Sequence, residues 1–268
     1  MPDPGRLLRT LRALAPSVMA SVGVAVAGLY LARRFVSLEH LRESNDVAGN
    51  YLQTLGTIYA VLLAFVVVVV WQQFNDARTC VEREANELLD LYRTAKGFSE
   101  PVRGELQRHL RSYLDAVLQE EWLAMARNQR AAFERAWSIF DRVSDVLHGC
   151  EPRAEREKSL YAEALSRLND LSDARTSRLS AGCLRIPMAL RILLYTGAAI
   201  TVGSMYLFAV RSFLLHALMT GAMAGAVSHV LYIIADLDDA FAGDWQVPRE
   251  PFERLRAYME RAASTQTN

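Results

Sequence analysis

The chain has 268 residues, 51% of them hydrophobic and 22% charged, with 30 basic and 30 acidic side chains. A net charge of zero gives no global field for nucleic acid or anionic lipid, so no nucleic-acid partner is expected. The three widely spaced cysteines, Cys80, Cys150 and Cys183, make no C-x-x-C and no Cys/His cluster, which excludes a disulfide framework and a zinc site as readings.

A mean hydropathy of +0.07 conceals an uneven distribution, with nearly charge-free blocks around a charge-dense middle. That is the profile of a multi-span membrane protein with one soluble domain. Residues 1–16 carry Arg6, Arg9 and Arg12 and end at Pro16. Ser17 to Ala32 is uncharged between Arg12 and Arg33 and is long enough to span a bilayer. A signal peptide is the rival reading, but a second span follows closely and no cleavage site is well defined.

The second span is the longest apolar run. No charge occurs from Val47 to Asn75, and charges then arrive at nearly every other position. Phe74, Ala77, Val81, Ala85, Leu88, Tyr92 and Ala95 keep a helical apolar stripe through the charged half. One unbroken helix is therefore expected to cross the bilayer and project into water. Three amphipathic helices follow. The first has Ser99 as its expected cap and Pro101 in its first turn, with apolar positions at Val102, Leu106, Leu110, Tyr113 and Val117. The second holds Phe133, Trp137, Phe140, Val143 and Leu147. The third opens after Pro152 and aligns Leu160, Ala164, Leu168, Leu171 and Ala174. Nothing between Gln72 and Arg185 alternates with period two, so no sheet is expected and the middle reads as a helical bundle.

Ile192 to Val210 and Ser212 to Ala235 are uncharged on either side of Arg211, which predicts a tight hairpin of two spans. Gly197, Ala198, Gly203 and Ser204 face Gly221, Ala224, Gly225 and Ser228 in that reading, and small residues allow close approach in lipid. The expected fold is all-α: four transmembrane helices with a cytosolic helical bundle between spans two and three. The divisions are 1–71 with spans one and two, 72–186 as the bundle, 187–236 as the hairpin, and 237–268 as a cytosolic tail. Lys and Arg flanking the spans are in excess on the side holding Arg78, Arg83, Arg175, Arg178 and Arg185. The excess places both termini and residues 72–186 in the cytosol of a multi-pass cell-membrane protein.

The run G-x6-G-x-x-Y-A-V-L-L-A-F-V-V-V-x-x-W from Gly49 to Trp71 resembles the bacterial bestrophin-like domain family. So do E-x-N-E-L-x-x-L-Y-R from Glu84 to Arg93, the Tyr113 helix ending in Glu120, Glu121 and Trp122, and the tail from Asp239 to Gly243. Ala240 stands where the family tail usually has proline, so a less rigid turn is expected. The resemblance implies four spans, a helical cytosolic domain, and a homo-oligomeric ring, a pentamer in bestrophins proper, around an anion pore walled by span two.

Candidate sites follow from both readings. Tyr59, Leu62, Phe65, Val66 and Val69 share one helical face and are the expected pore wall, a constriction that gates by dewetting. The alternative is that they are lipid-facing or packing surface. Gln53 and Thr57, four apart near the outer end, are polar groups for an entering inorganic ion, or interhelical hydrogen bonders. His229 inside span four is an intramembrane ionisable group, with His216 nearer the outer end. Asp236, Asp238 and Asp239 cluster where span four leaves the membrane, where the resemblance implies an acidic calcium clasp. The alternative is a solvated helix end, or pairing with Arg78 or Arg83. Glu84, Glu120 and Glu121 are expected in ion pairs with Arg93, Arg108 or Arg111. No E-x-x-H pair, phosphate loop, G-x-S-x-G or H-E-x-x-H occurs, so an enzyme is not expected and no cofactor other than calcium is indicated. The functional expectation is a bestrophin-like anion channel. Its alternative is a non-conducting scaffold or sensor whose bundle binds a protein partner.

Overall fold

The computed structural model of the chain describes residues 4–36, 41, 45–127 and 133–264, with side chains from residue 12 onward. Arg42 and most of the loop expected between the first two spans lie outside the described residues, as do the side chains of Arg6 and Arg9. Among the described residues the secondary structure is helical throughout, with no strand. The helices are α1 (Pro4–Phe35), α2 (Asn45–Thr94), α3 (Val102–Ala116), α4 (Trp122–Ala126), α5 (Glu134–His148), α6 (Glu155–Ala181), α7 (Met188–Ser204), α8 (Phe213–Leu237) and α9 (Glu250–Ser264). A π-helical turn, Val117–Glu121, joins α3 to α4.

Four stretches are long and apolar enough to cross a membrane: Arg12–Phe35, Asn45–Gly97, Met188–Leu207 and Phe213–Leu237. The unbroken second helix is present, since α2 runs 50 residues before a tight 3-10 turn at Ala95–Gly97. It has no proline and its charged half is rich in good helix formers, so nothing interrupts the hydrogen-bond ladder.

The chain divides into two compact units: residues 1–72 with 185–238, and residues 73–184 with 239–268. In the first, α1 packs along α8. Val22 approaches Gly221 and Gly225, and Ser21 Oγ donates to Ser228 Oγ at 3.0 Å. The small residues of span four therefore receive span one, which corrects the expectation that they serve the α7–α8 hairpin. Gly197 of α7 takes the Tyr59 ring of α2, whose hydroxyl donates to the Leu194 carbonyl at 2.9 Å. Tyr206 closes the unit by donating to the Ala25 carbonyl at 2.9 Å.

The second unit has a core of Val81, Leu88, Leu91, Leu106, Leu110, Val117, Val143, Leu147 and Leu171, all at most 1% exposed. All of these positions except Leu91 lie on the stripes anticipated from helical periodicity. The residues after 238 are no separate tail. Phe241 and Phe252 pack edge-on against Trp122, with ring centroids 5.4 and 6.1 Å away. Large aromatic area buried in this way ties residues 239–264 into the core of the second unit. The turn expected to be loosened by Ala240 is closed instead by backbone. Val247 N–H donates to the Ala240 carbonyl at 2.9 Å, and Gly243 adopts φ 81°, a left-handed conformation natural to glycine.

At the start of α3 the side chain meeting the free N–H groups is Glu100 rather than Ser99. Its Oε2 accepts from Gly104 N–H at 3.1 Å, a favourable place for negative charge.

Candidate functional site

The wall of span two sits in the first unit, and the structure divides the expected face. Tyr59 and Val66 are 5% and 1% exposed and turn inward with Leu63 and Val70. They pack within the protomer, so neither can line a channel between copies; this corrects the pore assignment of both. Phe65 is 67% exposed, and Leu62 and Val69 lie half-buried between the two sides. The five residues span about a third of a turn, because successive helical positions advance 100°, and packing covers one edge of that arc. The fully outward row is Ile58, Val61, Phe65 and Val68.

Gln53 and Thr57 are exposed near the start of α2. Thr57 Oγ1 donates to the Gln53 carbonyl at 2.8 Å, and Thr54 Oγ1 donates to the Asn50 carbonyl at 3.0 Å. Both hydroxyl protons are thus committed to the helix backbone, which leaves the side-chain amides of Asn50 and Gln53 able to donate outward. His229 is exposed on α8. His216 is fully buried, and its Nε2 lies 2.8 Å from the Met205 carbonyl, which assigns the proton to that nitrogen.

Asp238 is occupied. Its Oδ1 accepts Ile186 N–H at 2.6 Å and its Oδ2 accepts Arg191 Nη2 at 2.9 Å. Its partner is therefore Arg191, not Arg78 or Arg83, and Arg78 bonds Glu82 on its own helix at 3.2 Å. Among the described residues no three His, Cys, Asp or Glu side chains converge as metal ligands. A carboxylate already neutralised by a guanidinium is a poor calcium ligand, so Asp238 does not fit that ion as it stands.

The second unit contains a buried ionic cluster of two carboxylates and two guanidiniums. Glu84, Glu121, Arg175 and Arg178 are each fully buried. Arg178 Nε donates to Glu84 Oε2 at 2.5 Å, and its Nη2 donates to Glu121 Oε2 at 2.6 Å. Arg175 forms a two-pronged pair with Glu121, at 2.9 and 2.5 Å. Tyr113 completes the chain, donating to Glu84 Oε1 at 2.6 Å and accepting from Arg175 Nη1 at 3.2 Å. The Arg175 guanidinium also lies over the Trp137 ring, 4.7 Å from its centroid.

Three segments bring these groups together: α2 supplies Glu84, the Tyr113 helix with its π turn supplies Tyr113 and Glu121, and α6 supplies both arginines. The extra residue of the π turn rotates the helix so that Glu121 and Trp122 both point inward. Charges cancel within the cluster, as burial demands. Burial, reinforced by the Glu84 charge, pushes the Tyr113 hydroxyl well above its ordinary value, so it stays a proton donor. Burial acts against the Arg178 charge, but Glu84 and Glu121 more than offset it and hold the guanidinium above its ordinary range.

The expected partners Arg93, Arg108 and Arg111 are thereby corrected. Glu84 and Glu121 pair with α6, and Glu120 pairs with Arg135. Arg175 and Arg178 also leave the count of membrane-flanking positive charges, since they lie inside the second unit. One sequence signal marks them: they continue the buried stripe Leu168, Leu171 and Ala174, just as Glu84 falls on the stripe between Val81 and Leu88. A charge on an apolar stripe marks a buried ion pair.

A model of the Bestrophin-like domain matches residues 19–252. No individually curated protein matches the chain. Among solved structures, a point mutant of the bacterial bestrophin homologue from Klebsiella pneumoniae superposes with a TM-score of 0.70 at 11% identity, covering 92% of this chain and 99% of that chain. The structure of that homologue solved by zinc phasing gives a TM-score of 0.65 at 12% identity, covering 91% of this chain and 96% of that chain. At such identities the likeness is one of fold.

Proposed function

Because the chain belongs to the bestrophin-like domain family, we propose that it is an anion channel built as a ring of five identical subunits, with α2 walling the pore. The family is a channel fold and not an enzyme family, and the four apolar helices make this a membrane protein. The observation that carries the channel reading is the outward row of α2. Ile58, Val61, Phe65 and Val68 stay uncovered in the protomer, with Leu62 and Val69 at its edge, and no charge interrupts the helix from Val47 to Asn75. Repeated around a ring, such a row makes an apolar constriction whose hydration controls conduction. The Gln53 amide supplies a neutral donor near the end where α2 begins, a group that suits an anion shedding water. Both termini and the second unit lie on the cytosolic side in this proposal.

The test is chloride flux from liposomes containing purified protein, together with the mass of the particle. Phe65→Ala should change the conductance severalfold while leaving thermal stability within about 0.5 kcal/mol, because exposed positions carry little packing energy. A monomeric or dimeric particle, or a ring that passes no ion, would sink the proposal.

A further inference from the structure

In the first unit α1 ends where α8 begins. The Arg33 guanidinium, in the last turn of α1, donates from Nη2 to the Val210 carbonyl, and its Cζ lies 5.7 Å from the centroid of the Phe213 ring. Tyr30 meets the same ring edge-on, 6.3 Å between centroids. The start of α2 lies at this end too, since Asn45 Oδ1 accepts Ala209 N–H at 3.1 Å. Three guanidiniums therefore gather at one end of the unit: Arg33, its chain neighbour Arg34, and Arg211, which follows the carbonyl that Arg33 holds.

Their surroundings point to the ligand. Arg33 is half-buried and fastens the two helices. Arg34 and Arg211 are exposed and make no hydrogen bond, ion pair or ring contact with the described residues. Among the described residues at this end the carboxylate is Asp46. It stands in the first turn of α2, where free N–H groups favour negative charge, and forms no ion pair with a described residue. Like charges gathered in this way repel unless an anion joins them. Beside them Tyr30, Leu31, Phe213 and Leu214 are large, exposed apolar side chains of the two spans. A free oxyanion would meet the guanidiniums and leave those side chains bare. A phospholipid covers both, because its phosphate lies level with the span ends and its acyl chains run along the spans. A choline headgroup would return a positive charge to the cluster, so the complementary headgroup is one with net negative charge.

We infer that Arg34 and Arg211 hold the phosphate of an anionic phospholipid in the leaflet at this end, with its acyl chains against Tyr30, Leu31 and Leu214. Arg33 positions the two by tying α1 to the peptide before Arg211. The site is independent of whether ions pass through the assembly.

The test places a reporter beside the cluster. The full chain carrying Tyr30→Trp is reconstituted in bilayers, and brominated phosphatidylglycerol or brominated phosphatidylcholine is titrated in, since bromine quenches an adjacent tryptophan. The same titrations without the reporter remove the contribution of the four native tryptophans. Phosphatidylglycerol should bind at the reporter at least about fivefold more tightly than phosphatidylcholine, the worth of one arginine near an anionic membrane surface. Arg34→Gln with Arg211→Gln should bring the two lipids level. Arg34→Lys with Arg211→Lys should keep a preference, because an ammonium still attracts the phosphate. No preference in the reporter protein, a preference that survives the glutamine pair, or one that the lysine pair loses as fully, would overturn the inference. So would loss of the preference in excess inorganic phosphate at fixed ionic strength, since a free oxyanion would then occupy the site.

Discussion

Replacing Arg178 with Met tests the ionic cluster directly. Among the described residues, Arg178 alone pairs with both Glu84 and Glu121, at 2.5 and 2.6 Å, in a site closed to solvent. Methionine roughly preserves its bulk and apolar stem but leaves two buried carboxylates facing one guanidinium. Breaking a buried pair by removing one partner costs about 3–5 kcal/mol, because the orphaned charge stays desolvated. That is a factor of roughly 10²–10⁴ in the folded-to-unfolded ratio, and roughly 10–20 °C in the melting of a unit of this size. The assay is thermal unfolding of the detergent-purified protein followed by tryptophan emission, since Trp122 and Trp137 both lie in this unit. The double variant Glu84→Gln with Arg178→Met should recover part of the loss, which a simple packing defect would not do. A loss below about 1 kcal/mol, or no recovery in the double variant, would refute the claim that these charges depend on one another.

Two further predictions concern other parts of the fold. Gly197→Ala puts a Cβ 2.5 Å from Tyr59 Cε2, so the ring must shift and strain its bond to Leu194. Overpacking of this kind costs about 1–3 kcal/mol, read as a lower temperature at which the detergent-solubilised protein aggregates. Partial burial, with Arg142 and Arg108 nearby, lowers the affinity of His109 for a proton in the folded state. The unfolded chain therefore binds more protons below about pH 6.5, and stability falls as pH drops through that value. His109→Gln should flatten this acid-side decline in a series of melts from pH 7.5 to 5.5, and an unchanged slope would count against the histidine.

The sequence by itself determined the number and placement of the candidate spans and, among the described residues, the absence of sheet. Uncharged runs bracketed by arginine are one-dimensional signals: each span is decided by its own composition against the thickness of hydrocarbon. The amphipathic stripes were likewise legible, because a helix buries what its period aligns. Only the tertiary structure decided which side of α2 faces inward, since Tyr59 and Phe65 differ little in composition and much in what packs beside them. It also decided the partners of Glu84, which meets Arg178 from 94 positions along the chain. Local spacing offered Arg93 for that role, but a carboxylate on a buried stripe meets whatever charge the opposing helix buries with it. The same reason gave Gly221 and Gly225 to span one rather than span three. Composition sets where a helix runs, and the identity of its neighbour is settled by shape and charge matched across distant segments.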